Sequence, residues 1–134
     1  HTYGEADVPD DLGQVRQIDA GYYHTCAVTV DGVARCWGHN LYGKATPPLD
    51  LGQVLWVSAG GQHSCAVTVA RKVRCWGTSS GSMFYGQTTV PKTLEPVTRV
   101  SAGWQHTCVI KTTGKVRCWG RNVSGVLGVP PAIH

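Results

Sequence analysis

The chain has 134 residues, of which 42% are hydrophobic and 15% charged, with six cysteines, five tryptophans and a net charge of +4. That length holds one domain and includes no apolar run long enough to span a bilayer. The positive balance leaves no nucleic-acid footprint: no Lys/Arg run occurs, and Arg35, Arg74 and Arg117 share one repeat position beside a cysteine, where they serve the fold.

The first 15 residues, HTYGEADVPDDLGQV, parallel NLYGKATPPLDLGQV at 40–54, so the chain opens on the tail of a repeated unit. It begins with His1 instead of Met, as expected of a processed mature protein or a trimmed chain. The segment VRQIDA at 15–20 then returns as VLWVSA at 54–59 and VTRVSA at 97–102, predicting one short strand per unit. The glycines that close these strands, Gly21, Gly60 and Gly103, stand 39 and then 43 residues apart. The four extra residues fall between Trp76 and Tyr85, a predicted surface loop that carries Phe84-Tyr85.

Next comes the stretch on which the unit is built, His24 to Gly38, HTCAVTVDGVARCWG. β-branched runs flank Asp31-Gly32, a strong hairpin signal. A three-residue loop of Val30, Asp31 and Gly32, with Gly32 left-handed, sets Thr29 opposite Val33 and Cys26 opposite Cys36. Such a directly opposed, non-hydrogen-bonded pair suits a disulfide, whereas a two-residue loop would turn the sulfurs to opposite faces. Cys65 with Cys75 and Cys108 with Cys118 have the same separation, so three local bridges are predicted out of the 15 pairings possible for six cysteines. Copy two has Arg71 where the others have Gly32 and Gly114, and a different turn is expected there. A metal site built on these cysteines with His24, His63 and His106 is the competing reading. It lacks the four closely spaced ligands of structural zinc, and neither metal nor cofactor is expected. Paired cysteines predict a secreted, extracellular setting.

The third copy ends RNVSGVLGVPPAIH, which matches HNLYGKATPPLDLG and contains a sequon at Asn122, although Asn122 also occupies the repeat position of Asn40. Each unit reads as three strands plus a Pro-containing tail available as a fourth, without helical periodicity. The expectation is all-β: a β-propeller of four-stranded blades, with a blade tail at 1–14, blade one at 15–51, blade two at 52–94 and blade three at 95–134. Three blades do not close, so a homodimer forming a six-bladed ring is expected, with a fragment of a larger ring as the alternative.

The pattern AG-x-x-H-[TS]-C-[AV] followed by C-W-G resembles the regulator of chromosome condensation repeat family. The likeness rests on Ala20-Gly21, His24, Gly32, Val33 to Gly38, Asn40 and Gly43 with their later counterparts, and spans nearly the whole chain. It implies a propeller of four-stranded blades, used in different members for nucleotide exchange on a small GTPase, chromatin docking, light sensing through tryptophans or β-lactamase inhibition. Members with cysteines at these positions resemble secreted forms. The family has no common active site, so the resemblance leaves function to the particular residues.

Residues found in every copy build the blade, as expected for Trp37, Trp76 and Trp119 and for the three histidines. The singular residues are informative. After each Ala-Gly come Tyr22-Tyr23, Gly61-Gln62 and Trp104-Gln105, and Trp56 stands where the other copies have Gln17 and Arg99. Aromatics beside amides suit stacking on a flat apolar face with hydrogen bonds at its edge. Tyr22, Tyr23, Gln62, Trp104 and Gln105 are therefore the candidate ligand-binding residues. Two functions fit them: a lectin with several weak, symmetry-related sites for a carbohydrate or glycoprotein, which is the preferred reading, or a protein-binding or inhibitory propeller with one aromatic-rich patch for a protein partner. No nucleophile, base and orienting acid fall at a motif spacing, and no phosphate loop occurs, so an enzyme is not expected.

Overall fold

The structure, a computed structural model, describes residues 8–40, 43–77 and 88–120. Phe84, Tyr85, Asn122 and the tail residues Tyr3 and Tyr42 lie outside them.

Nine strands form three antiparallel sheets of identical order. The first holds β1 (Val15–Ala20), β2 (His24–Thr29) and β3 (Ala34–Gly38); the second β4 (Val54–Ala59), β5 (His63–Thr68) and β6 (Val73–Gly77); the third β7 (Val97–Ala102), β8 (His106–Lys111) and β9 (Val116–Gly120). Among the described residues each sheet has three strands, not the four expected. The Pro-containing segment turns instead: Leu12, Leu51 and Leu94 donate their N–H groups to the carbonyls of Pro9, Pro48 and Pro91.

The hairpin register is the predicted one. Cys26 faces Cys36, Cys65 faces Cys75 and Cys108 faces Cys118, and all three pairs are disulfide-bonded with Cα atoms 4.0 to 4.1 Å apart, the close spacing of a non-hydrogen-bonded pair. The sulfurs are thus consumed by one another, which removes the thiolates a metal site would need. Gly32 and Gly114 sit at φ 83° and 89°. The different turn expected in copy two does not form, because Arg71 takes the same left-handed backbone at φ 64° and its N–H donates to Thr68 O at 2.9 Å, as Gly32 N–H does to Thr29 O. The ladder and the bridge below fix the loop length, so the arginine must adopt the conformation the loop requires.

The sheets stack through their faces. Cys26, Val28 and Ala34 leave the first sheet to meet Leu51 of the connecting tail and Val54, Val57, Ala59 and Trp76 of the second unit, and Cys65, Val67 and Val73 meet Val97, Val100, Ala102 and Trp119 of the third. Each apolar layer therefore lies between consecutive units, and no sheet buries its core alone. Main-chain bonds join the same units, from Val54 N to Gly32 O and from Val97 N to Arg71 O. Arg35 and Arg74, predicted to serve the fold, each reach an aspartate of the tail that precedes their unit, Asp11 and Asp50, at 3.0 and 3.1 Å. For Arg117 of unit three the corresponding residue of the preceding tail is Thr93.

Candidate functional site

The repeated histidines tie one sheet to the next. His24 Nε2 lies 2.6 Å from Ser64 Oγ, whose own proton goes to Lys44 O at 2.6 Å, so the imidazole is the donor. Its Nδ1 is buried and finds no partner among the described residues. His63 repeats the contact, 2.8 Å from Thr107 Oγ1. Burial, reinforced by the charges of Lys44 and His39, pushes the His24 pKa down to about 4. Burial with neighbouring His106 and His24 pushes His63 down to about 3. Both rings are neutral, and each ties its sheet to the next, as their recurrence in every unit implies.

Along β1, β4 and β7 the unit-to-unit contacts are polar. The Gln17 side-chain amide donates to Val57 O and accepts from Val57 N, both at 2.8 Å. Asp19 Oδ2 accepts from Ser58 Oγ and Ala59 N at 2.9 Å, and Ser58 Oγ accepts in turn from Ala102 N at 2.9 Å. Trp56, in the position of Gln17, instead lies under the Arg99 guanidinium at 4.6 Å.

The loops that follow these strands carry the predicted site residues, and the structure brings three of them into a single group. Tyr22 of the first loop meets Trp104 of the third edge to face at 4.3 Å, and Tyr23 lies 6.1 Å from the same indole. The middle loop makes room for this. A Cβ on Gly61 would come within 2.5 Å of the Trp104 ring and 2.8 Å of its carbonyl oxygen, so only glycine lets the indole lie across it. The three loops are also linked through their backbones, Tyr22 N to Gly60 O and Gly61 N to Gly103 O. Tyr22 and Tyr23 remain 56% and 37% exposed, and Trp104 is half-buried. A cavity of about 300 Å³, lined by Asp19, Ser58 and Ser101, opens beside Tyr22.

Gln62 and Gln105 do not join this surface, because both are buried. The Gln62 amide is engaged internally, where its Oε1 accepts from Lys44 Nζ at 3.1 Å, as does Gly61 O. Lys44 is fully buried, its ammonium 5.4 Å from the Tyr23 ring centroid, and burial lowers its pKa. The turn before it aims it inward, since Asn40 accepts from Ala45 N at 2.8 Å and donates to Thr46 Oγ1 at 2.9 Å. His39 completes the group, 6.1 Å from Tyr23. Sequence reasoning missed Lys44. Its signal was available, because the repeat gives Glu5, Lys44, Gln87 and Val126 at this position, which makes the lysine as singular as the aromatics.

The regulator of chromosome condensation (RCC1) repeat matches the chain over residues 15–44, 57–87 and 97–126. Among curated proteins none matches it significantly. Among solved structures it is similar to the ectodomain of the receptor kinase CR4 of Physcomitrella patens, with 27% identity and a TM-score of 0.68 over 87% of this chain and 33% of that one. The ectodomain of the Arabidopsis thaliana receptor kinase ACR4 is comparable, with 26% identity and a TM-score of 0.68 over 84% of this chain and 38% of that one. Prp20p of Saccharomyces cerevisiae, described with its binding to Gsp1p and histones, shares the fold at 19% identity and a TM-score of 0.72 over 92% of this chain and 37% of that one. The chain thus spans about a third of the length of these relatives. With three matched repeats covering most of its residues, the chain belongs to the regulator of chromosome condensation repeat family.

Proposed function

We propose that this chain is an extracellular protein-binding propeller unit, without catalytic activity, that docks a protein partner on the surface formed by Tyr22, Tyr23 and Trp104. The observation that carries this reading is the convergence of those three side chains from the first and third units into one patch. A lectin of the kind expected from sequence needs separate, equivalent sites, one per unit. Here the aromatics are pooled and both glutamines are turned inward, leaving no equivalent set on each loop. Tyrosine and tryptophan are frequent anchors of protein interfaces, since each offers a large rigid surface with a polar edge. The three disulfides and the likeness to receptor ectodomains support an extracellular setting. In the same reading the propeller is completed to six blades by two copies of the chain.

The test compares the wild-type chain with a Tyr22→Ala/Trp104→Ala variant on an array of purified extracellular protein domains and on a glycan array. Saturable binding to one protein that the variant loses at least tenfold is the expected result. Binding to glycans, displaced by free sugar and unchanged in the variant, would instead establish carbohydrate recognition elsewhere on the molecule.

A further inference from the structure

Asp19 is the one acid at its repeat position. The second and third units have Ser58 and Ser101 there, set opposite Cys65 and Cys108 as Asp19 is set opposite Cys26. The difference places a carboxylate at the end of a short chain of hydrogen bonds. Ala102 N donates to Ser58 Oγ, Ser58 Oγ donates to Asp19 Oδ2, and Ala59 N donates to the same oxygen, each at 2.9 Å. All of this falls on Oδ2. Among the described residues Oδ1 accepts no hydrogen bond, Asp19 forms no ion pair, and the Ser101 hydroxyl is unengaged.

Asp19 and Ser101 both line the cavity of about 300 Å³ beside Tyr22, and Asp19 is the one charged residue among those lining it. Its walls come from three consecutive units that are bonded to one another, Tyr22 N to Gly60 O and Gly61 N to Gly103 O, so the described chain itself sets them. Two nearby cations are already engaged. Arg99, which shares an adjoining cavity with Asp19, lies on the Trp56 ring. Lys44 is buried on Gly61 O and Gln62 Oε1, with its ammonium 5.4 Å from the Tyr23 centroid, where it repels a second cation. Tyr22, 56% exposed and at the cavity wall, is the ring left for one.

Deepening the protein-docking reading above and resting on it, we propose that this cavity is the subsite for a basic side chain, lysine or arginine, presented by the partner. Its charged head donates to Asp19 Oδ1 and Ser101 Oγ, and its methylene stem and charge lie against the Tyr22 ring. An anion is repelled by the carboxylate, and a neutral group leaves that charge without a counter-ion. One carboxylate with two hydroxyls also falls short of a metal cage, and no cluster of three ligating side chains occurs among the described residues.

The experiment follows the amide NMR shifts of the isotope-labelled chain on titration with N-acetyl-lysine amide, N-acetyl-arginine amide and, as a neutral isostere, N-acetyl-norleucine amide. Saturable shifts at Tyr22, Ser101 and Gly103 are expected with a basic probe, in the millimolar range, and none with norleucine. The tighter of the two basic probes identifies the anchor. Asp19→Asn keeps an acceptor for Ser58 and Ala59 while removing the charge, and is expected to weaken binding about tenfold or more. Tyr22→Leu should weaken it as well, and unchanged shifts remote from the cavity establish that each variant folds. Equal shifts from the basic and neutral probes, or binding indifferent to Asp19→Asn, overturn the proposal. If a protein on the array loses affinity in Tyr22→Ala/Trp104→Ala but not in Asp19→Asn, and neither basic probe saturates, the cation subsite falls while the docking surface stands. A basic probe lost in Asp19→Asn, with no protein bound on the array, upholds the subsite and overturns the docking reading.

Discussion

Arg71 holds a backbone conformation that its neighbours in the repeat assign to glycine, at φ 64°. A side chain in the left-handed region costs about 1 kcal/mol or slightly more, partly offset by the greater freedom glycine has when unfolded. Arg71→Gly is therefore expected to raise stability by about 0.5 kcal/mol, read as a higher urea midpoint at unchanged slope. Its carbonyl, which accepts from Val97 N, is kept by the change. Lys44 argues the other way. Lys44→Met leaves Gly61 O and Gln62 Oε1 buried without their donor, and is expected to cost on the order of 1 to 3 kcal/mol. It should also loosen Tyr23 against Trp104, so that indole fluorescence shifts in the folded protein. At this scale the sequence was legible only in part. The singular aromatics marked loops that the structure brings together, but whether each pointed outward depended on neighbours 16 to 82 residues away, and the inward turn of Gln62 depends on a lysine from another unit.

The hairpin is the element whose geometry followed most directly from its residues. Loop length fixes the partner of every residue, and the partner of Cys26 fixes the bridge. Closing a ring of about ten residues restricts the unfolded chain by about 3 kcal/mol in the entropic account. Replacing Cys65 and Cys75 together by alanine should therefore lower stability by about that amount, measured by urea unfolding against the intact protein. A loss well below about 1 kcal/mol would mean that the seams on either side, rather than the bridge, hold the hairpin. The expectation for Arg71 failed at this scale for a physical reason: local preference is worth about 1 kcal/mol, while register, bridge and Val97 N–H together outweigh it. The tail was less legible, because proline and glycine fix a turn without showing whether an outer strand follows it.

At the scale of the molecule, stability resides between sheets, and so does its dependence on pH. His24 and His63 are held at pKa values of about 4 and 3, below the ordinary 6.5. The unfolded chain then binds more protons than the folded one as the pH falls below 6.5. The contribution is complete above that pH and is lost progressively down to the folded values. By about pH 4 the loss is about 3 kcal/mol per ring. The expected result is a melting temperature that falls steeply between about pH 6 and 4, and a much flatter profile in a His24→Gln/His63→Gln variant that folds at neutral pH. The repeat was plain in the sequence, since self-similarity locates every unit. Pooling of the aromatics was not, because it depends on how far each sheet turns relative to the last, and no residue encodes that angle alone.

The indole lying across Gly61 has a mechanical meaning. Tyr22, Gly61 and Trp104 come from three successive sheets, so their contact survives only at one curvature of the stack. Opening the arc by a small angle at either joint would slide the indole off its glycine and separate it from the tyrosine, dismantling the aromatic patch without unfolding a single strand. Whatever fixes the arc would therefore make itself felt in how tightly the tyrosine and the indole are held together.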